Sequence, residues 1–308
     1  MKAGRIAVTG GCGFIGTAVM AALQAAERPG LAIDLAEARG AGAGAWQRLD
    51  IRDAAALSLA LRQAQSTVLI HLAARPTVTA YGPEALEAES INVGGTLSAL
   101  EACRTAGVER LVLASSAAVY GDVGSGAIPE DSAPAPRSAY GASKVAAEAY
   151  AGAYARAAGL QVTILRPATV FGPGQRATPE GAACAAFASC LAAGRQGTIF
   201  GDGLQTRDYV YVADAARAFV AAALAPRAGA TYNVGTGQRV SIRDLHLGLA
   251  AAAGLPDAPT FGPERPGDIR HSLLDPSRIA AELGWRAETP WEDGLRATMA
   301  WARAKAGR

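Results

Sequence analysis

No apolar run in this sequence approaches the ~20 residues that a membrane-spanning helix needs. Met1-Lys2-Ala3-Gly4-Arg5 leads directly into a short apolar strand, with no hydrophobic signal-peptide region, so a cytoplasmic location is expected and no membrane partner. Cysteine is sparse. Cys12, Cys103, Cys184 and Cys190 form no CxxC and have no histidine cluster nearby, which predicts buried free thiols rather than a disulfide frame or a zinc site. There are three histidines, and neither His71 nor His246 falls in a ligand spacing; both read as structural and no metal is expected. A dense Lys/Arg block is also missing, and a net charge of +2 gives no electrostatic footprint for nucleic acid. No internal repeat is evident, and the abundant alanine raises helix propensity without a period.

What remains is a chain of 308 residues, 50% hydrophobic and 18% charged, long enough to bury a large core as one domain or two lobes. Arg5–Thr9 reads as a buried strand. Gly10-Gly-Cys-Gly-Phe-Ile-Gly16 follows as a turn opening the helix that carries Ala18 to Ala26. Such a strand, glycine turn and helix aim backbone N–H groups and a positive helix end at a pyrophosphate. A second strand, Leu31–Asp34, ends in a carboxylate about 20 residues beyond the glycines, where it would accept from adenosine ribose hydroxyls and repel a 2′-phosphate. NAD is therefore favoured over NADP, although Arg39 is near enough in sequence to pair with such a phosphate.

Strand-like runs at Thr67–Leu72, Arg110–Ser115 and Gln161–Arg166 alternate with the alanine-rich segments 84–104 and 142–158. That alternation predicts an α/β fold with a doubly wound parallel Rossmann-type sheet, whose chemistry sits at the carboxyl ends of the strands. Beyond residue 172 Gly-Pro punctuation loosens the pattern, so a dinucleotide-binding domain is expected over 1–171. A smaller C-terminal α/β substrate lobe is expected over 172–308, with some segments returning to the first domain.

Tyr140 and Lys144 are spaced as Tyr-x-x-x-Lys, on one face of a helix. A cation beside a phenol favours the phenolate, so the pair is a candidate proton acceptor. By itself the same spacing also describes a ring on the core next to a solvated lysine.

Taken in order, Thr9-Gly-Gly-Cys-Gly-Phe-Ile-Gly16, His71-Leu-Ala-Ala74, Asn92, Ser115-Ser-Ala-Ala-Val-Tyr-Gly121, Tyr140-x-x-x-Lys144, Arg166-Pro-Ala-Thr-Val-Phe-Gly-Pro173, Gly201-Asp-Gly-Leu-Gln-Thr-Arg-Asp-Tyr209, Tyr232-Asn-Val-Gly-Thr-Gly237 and Arg265-Pro-Gly-Asp268 span nearly the whole chain. This series resembles the extended short-chain dehydrogenase/reductase family, and within it the nucleotide-sugar epimerases and dehydratases, most of all the UDP-sugar 4-epimerases. The resemblance implies that Gly10, Gly13, Phe14, Ile15 and Gly16 hold the NAD pyrophosphate, that Asp34 takes the adenosine ribose and that Asp50 and Ile51 border the adenine. It adds Leu72, Ala73, Ala74, Asn92, Ser115 and Pro167 to the cofactor site, together with Tyr140 and Lys144, the latter reaching the nicotinamide ribose. Ser116, Tyr140 and Lys144 would be catalytic, with Ser116 and Tyr140 on the sugar hydroxyl. Arg207 and Arg265 would hold a diphosphate, Asp268 a nucleotide ribose, Thr169 and Ser272 the sugar, and Arg75, like Arg176, a sugar carboxylate if one is present.

The 4,6-dehydratases of this family carry two carboxyl groups where this chain has Ala117 and Ala118, and a methyl group moves no proton. Epimerisation at C4 of a nucleoside-diphosphate sugar is therefore the expected reaction, through a transient 4-keto intermediate, with UDP the expected carrier and thymidine diphosphate the alternative, unless a residue such as Glu130 stands in for the missing acid. UDP-glucose and UDP-N-acetylglucosamine lead UDP-glucuronate as substrates. The alternatives are a dehydratase, an NADPH-dependent 4-keto-sugar reductase, and a nucleotide-sensing scaffold without turnover. The resemblance also implies a homodimer formed by the helices near 88–106 and 142–158, whose apolar faces would equally suit packing on the sheet.

Overall fold

The structure is a computed structural model that describes residues 4–28, 30–37, 45–76, 82–177, 182–226, 229–265 and 268–307. Arg39 lies outside the described residues. The first half runs β1 (Arg5–Thr9), α1 (Phe14–Ala25), β2 (Gly30–Asp34), β3 (Ala45–Arg48), α2 (Ala54–Gln63), β4 (Ser66–His71), α3 (Pro83–Glu89), α4 (Gly95–Ala106), β5 (Arg110–Ala114), α5 (Ala139–Ala158), β6 (Gln161–Pro167) and β7 (Thr169–Phe171). It continues with α6 (Ala183–Ala192), β8 (Thr198–Phe200), β9 (Thr206–Arg207), β10 (Tyr209–Tyr211), α7 (Val212–Leu224), β11 (Thr231–Val234), β12 (Val240–Ser241), α8 (Ile242–Ala253), β13 (Thr260–Gly262), β14 (His271–Ser272), α9 (Ser277–Leu283) and α10 (Trp291–Ala306).

Seven strands form one parallel sheet in the order β11-β6-β5-β4-β1-β2-β3, the doubly wound architecture expected from the alternation of strands and helices. Because strand side chains alternate, Ile6 and Val8 face one layer and Ala7 the other. The first layer packs against α1 and α7 through Val19, Leu23 and Phe219; the second packs against α2, α4 and α5 through Leu61, Leu100 and Ala147. Beyond residue 172 the chain contributes both to this sheet, through β11, and to a separate core of α6, α8 and α10 around Phe187, Leu249 and Met299.

Before β4, two elements went unmarked in the sequence, and beyond β6 none was given bounds. β3 is an edge strand of mixed polarity, half-exposed to exposed, so it has neither an apolar run nor a clean alternation. α2 buries Leu57, Ala60 and Leu61 at helical spacing and is capped by Asp53, whose side chain accepts from the Ala56 N–H.

His71 closes β4 with a buried ring between the Thr9 hydroxyl (Nδ1, 2.7 Å) and the Thr96 hydroxyl (Nε2, 3.3 Å). Burial, followed by the Lys144 charge, lowers its pKa from 6.5 to about 3. The unfolded chain thus takes up this proton near pH 6.5 and the folded chain only near 3, so stability present above 6.5 is lost as pH falls through that window. At pH 5 the loss from this one group is about 2 kcal/mol, at about 1.4 kcal/mol per pKa unit. Urea midpoints at pH 7 and pH 5 should therefore separate more for the native chain than for His71→Gln, and equal separations would refute the assignment.

Candidate active site

At the carboxyl ends of β1, β2, β4, β5 and β6 lies a cleft of about 790 Å³. Among the residues of the expected cofactor site, Gly10, Gly13, Phe14, Ile15, Gly16, Asp34, Asp50, Ile51, Leu72, Ala73, Ala74, Ser115, Tyr140, Lys144 and Pro167 line it, as do Arg75 and Thr169 of the expected sugar site.

The glycines make this cradle possible for two different reasons. Gly10 has φ +69°, a conformation a side chain would strain. Gly16 is instead a close approach, because a Cβ there would stand 2.0 Å from the Gly10 carbonyl oxygen. With no side chains at these points, the turn and the first helical N–H groups of α1 are open to a pyrophosphate. At the end of β2, Asp34 accepts from the backbone N–H groups of Cys12 and Ala36, both at 3.0 Å. Those bonds fix a carboxylate in the cleft wall with lone pairs left over for ribose hydroxyls, and the cradle fits a dinucleotide.

Asn92 stands behind this wall. It is buried, and it clamps the segment that does line the cleft: its Oδ1 accepts from the Arg75 N–H (2.7 Å), while its Nδ2 donates to the Arg75 carbonyl (3.1 Å) and to Ser143 Oγ (3.0 Å). Arg75 is further held by an ion pair with Glu87.

The helix α5 brings Tyr140 and Lys144 to the cleft. Ser138 caps it by accepting from the Gly141 N–H (3.1 Å), and Gly141 leaves room for the Ala118 carbonyl, 2.6 Å from where a Cβ would stand. Lys144 Nζ donates to the Ala114 carbonyl (2.7 Å) and lies 5.7 Å from the centre of the Tyr140 ring. Ser116 lies near enough to Tyr140 to favour its phenolate, and its Oγ accepts from the Ala118 N–H (3.1 Å).

The charges differ from the expectation of a resident phenolate. Burial pushes Tyr140 up to about 12, against the opposing effect of Ser116, and burial pulls Lys144 down to about 8, against the support of Glu148. Both shifts come mainly from the loss of water, which penalises whichever form is charged. At neutral pH the pair is a protonated tyrosine beside an ammonium ion.

Ser115 lines the cleft, but its hydroxyl is committed to Glu148. Glu130 does not replace the carboxyl groups missing at 117 and 118: its Oε1 accepts from the Asn233 N–H of β11 (2.9 Å), and the residue is absent from the cleft lining.

The remaining sugar-nucleotide candidates gather in the second-half lobe. Arg207 on β9 donates to Asp268 Oδ1 (2.6 Å), and Ser272 on β14 pairs in register with Arg207. Arg265 stacks on Phe200 with its guanidinium carbon 4.0 Å from the ring centre. Two of the candidate ligands of a nucleotide, one for phosphate and one for ribose, are thus paired with each other.

Sequence reasoning passed over Glu148, although it repeats the four-residue step from Tyr140 to Lys144. Among the described residues no group of His, Cys, Asp and Glu is arranged to hold a metal.

Comparison with known proteins agrees with this geometry. The UDP-glucose 4-epimerase of Mycolicibacterium smegmatis is 38% identical over 98% of this chain and 99% of its own length. The crystal structure of UDP-glucose 4-epimerase with UDP-glucose from Thermotoga maritima superposes with a TM-score of 0.91 at 31% identity, covering 98% of this chain and 99% of that one. The UDP-glucose 4-epimerase of Thermus thermophilus, in complex with NAD, gives 0.88 at 36% identity, covering 97% and 99%. dTDP-glucose 4,6-dehydratases are also among the relatives. The sequence pattern of one family matches residues 6–235, and with the cradle, the tyrosine and the lysine all in one cleft, this chain belongs to the NAD dependent epimerase/dehydratase family.

Proposed function

We propose that this protein is an NAD-dependent 4-epimerase of a nucleoside-diphosphate sugar, with UDP-glucose or UDP-N-acetylglucosamine as substrate. The observation that carries the reading is Tyr140 and Lys144 together in the wall of a dinucleotide cradle, with Ser116 beside Tyr140 at the end of β5 and alanines following it at 117 and 118. NAD held by the glycine turn and Asp34 supplies a hydride acceptor and donor, together with a positive charge.

The chain's own residues do the rest. Ser116 holds the C4 hydroxyl, and Tyr140 takes its proton and later returns it. Lys144 supplies the fixed cation that stabilises the phenolate during transfer. Water exclusion by the apolar walls strengthens these charge interactions. Without an acid and base at 117 and 118, loss of the C6 hydroxyl has no proton carrier, which favours the epimerase over the dehydratase. A carboxylate at 34 opposes a 2′-phosphate, which favours NAD and so disfavours an NADPH-consuming reductase.

Arg207 and Arg265 bind the diphosphate in this reading, with the Arg207–Asp268 pair opening so that each meets the nucleotide. Ser272 leaves space beside the sugar. A homodimer through the helices near 88–106 and 142–158 fits this reading, and it is supported by Tyr150 (43%), an exposed apolar ring on α5, a helix whose Ala147 and Ala151 are buried against the sheet. Among the described residues no helix is long and apolar enough to cross a membrane; the cytoplasm is the proposed site of action.

The test is an NMR time course of purified protein without added cofactor on UDP-glucose, UDP-N-acetylglucosamine, UDP-glucuronate and dTDP-glucose. The C4-inverted sugar is expected from one of the first two. A dehydrated product, a requirement for NADPH, or binding without turnover would overturn the proposal in favour of the dehydratase, the reductase or the sensor.

A further inference from the structure

The helix face that carries Tyr140 and Lys144 has a third member one turn on. Glu148 is 11% exposed; its Oε1 accepts from Ser115 Oγ and from Arg166 Nε (2.9 Å), and its Oε2 from Arg166 Nη2 (2.6 Å). Arg166, 7% exposed, is braced in turn. Its Nη1 donates to the Tyr120 hydroxyl (2.8 Å) and the Glu130 carbonyl (3.0 Å), and its guanidinium carbon lies 4.8 Å from the centre of the Tyr120 ring. Tyr120 donates to Asn233 Oδ1 on β11 (2.7 Å). A connected polar network therefore runs from β11 through β6 to α5, and a partner satisfies each of these contacts.

Two residues of α5, a turn apart, thus grip successive residues at the end of β5: Lys144 holds the Ala114 carbonyl and Glu148 the Ser115 hydroxyl. Ser116, the next residue along, acts on Tyr140. Folding stability alone gives little reason for this charge, since a buried ion pair is often no more stabilising than an apolar pair of the same volume. Its place between β5 and the reacting helix does give a reason.

We infer that Glu148, braced by Arg166, is a positioning residue: through Ser115 it sets Ser116 against Tyr140, and through its charge it keeps Lys144 an ammonium ion. The titratable groups around Lys144 are Tyr140 and Glu148 on its own helix and His71 on β4, which is uncharged above about pH 3. Glu148 is then the one anion acting on Lys144 among them. The turnover part of the test rests on the epimerase reading; the titration part does not.

Glu148→Gln and Ser115→Ala are compared with the native chain for kcat, KM, melting temperature and the NMR titration of the Lys144 ammonium. With three lysines in the sequence, that signal is readily assigned. Lys144 is expected to titrate near 8 in the native chain and lower in Glu148→Gln, with kcat reduced about tenfold, equivalent to about 1.4 kcal/mol on the barrier, and KM nearly unchanged. Ser115→Ala, which leaves the ion pair in place, should lower kcat without moving the Lys144 titration. Native titration and native kcat in Glu148→Gln, whatever its melting temperature, would overturn the inference, and so would native kcat in Ser115→Ala. If Glu148→Gln does not accumulate, Ser115→Ala decides the hydroxyl link by itself. If the native chain converts no nucleotide sugar, the epimerase reading fails while the Lys144 titration still judges the role of Glu148.

Discussion

Replacing Tyr140 with phenylalanine is expected to lower kcat by about 10²–10⁴-fold, the usual contribution of a positioned acid–base group, while NAD stays bound. The ring is unchanged in shape, so the cleft wall keeps its form and only the hydroxyl is lost. No neighbouring group takes its place. Lys144 is a cation at neutral pH and hydrogen-bonded to Ala114, Ser115 is committed to Glu148, and residues 117 and 118 carry methyl groups. The measurement is single-substrate turnover by NMR together with the NAD released on denaturing the protein. Near-native turnover would remove Tyr140 from the chemistry, whereas loss of both turnover and NAD would point to a damaged cleft instead.

Gly16→Ala carries the second large effect, and it acts through sterics. The added methyl would stand 2.0 Å from the Gly10 carbonyl oxygen, 2.8 Å from its carbon and 2.8 Å from the Gly11 Cα, all backbone atoms that have no rotamer to retreat into. Relief requires the turn to move off the start of α1, and the turn is the cradle. A destabilisation of about 3 kcal/mol is expected, at the upper end for an overpacked site. Loss of resident NAD should be nearly complete, because the helix N-terminus and the turn would no longer converge on one pyrophosphate. Chemical denaturation and the NAD content of the purified variant check the two parts. An intact NAD complement in Gly16→Ala would mean that the loop yields easily and that the close approach is incidental.

A good share of this protein was legible in its sequence because the deciding interactions are local. Strand-like runs of four to six residues announced β1, β2, β4, β5 and β6, and the glycine turn announced the start of α1. A four-residue helical step put Tyr140 and Lys144 on one face without any knowledge of the sheet. Edge strand β3 was illegible because a half-exposed strand of mixed polarity has no period to read.

What the amino-acid order determined by itself was therefore the sheet-forming alternation, the dinucleotide turn, the acidic end of β2 and the Tyr-Lys pair, all properties of segments shorter than one element and its turn. Only the tertiary structure decided three things. It set the charges, since burial moves Tyr140 up and Lys144 down and the depth of a side chain depends on residues far along the chain. It joined Glu148 to Arg166 and Ser115, residues 18 and 33 positions away, and paired Arg207 with Asp268 across 61. And it placed Asn92 behind the cleft wall, clamping Arg75 and Ser143. Desolvation and long-range hydrogen bonds exist only once distant segments meet, so no local pattern carries them.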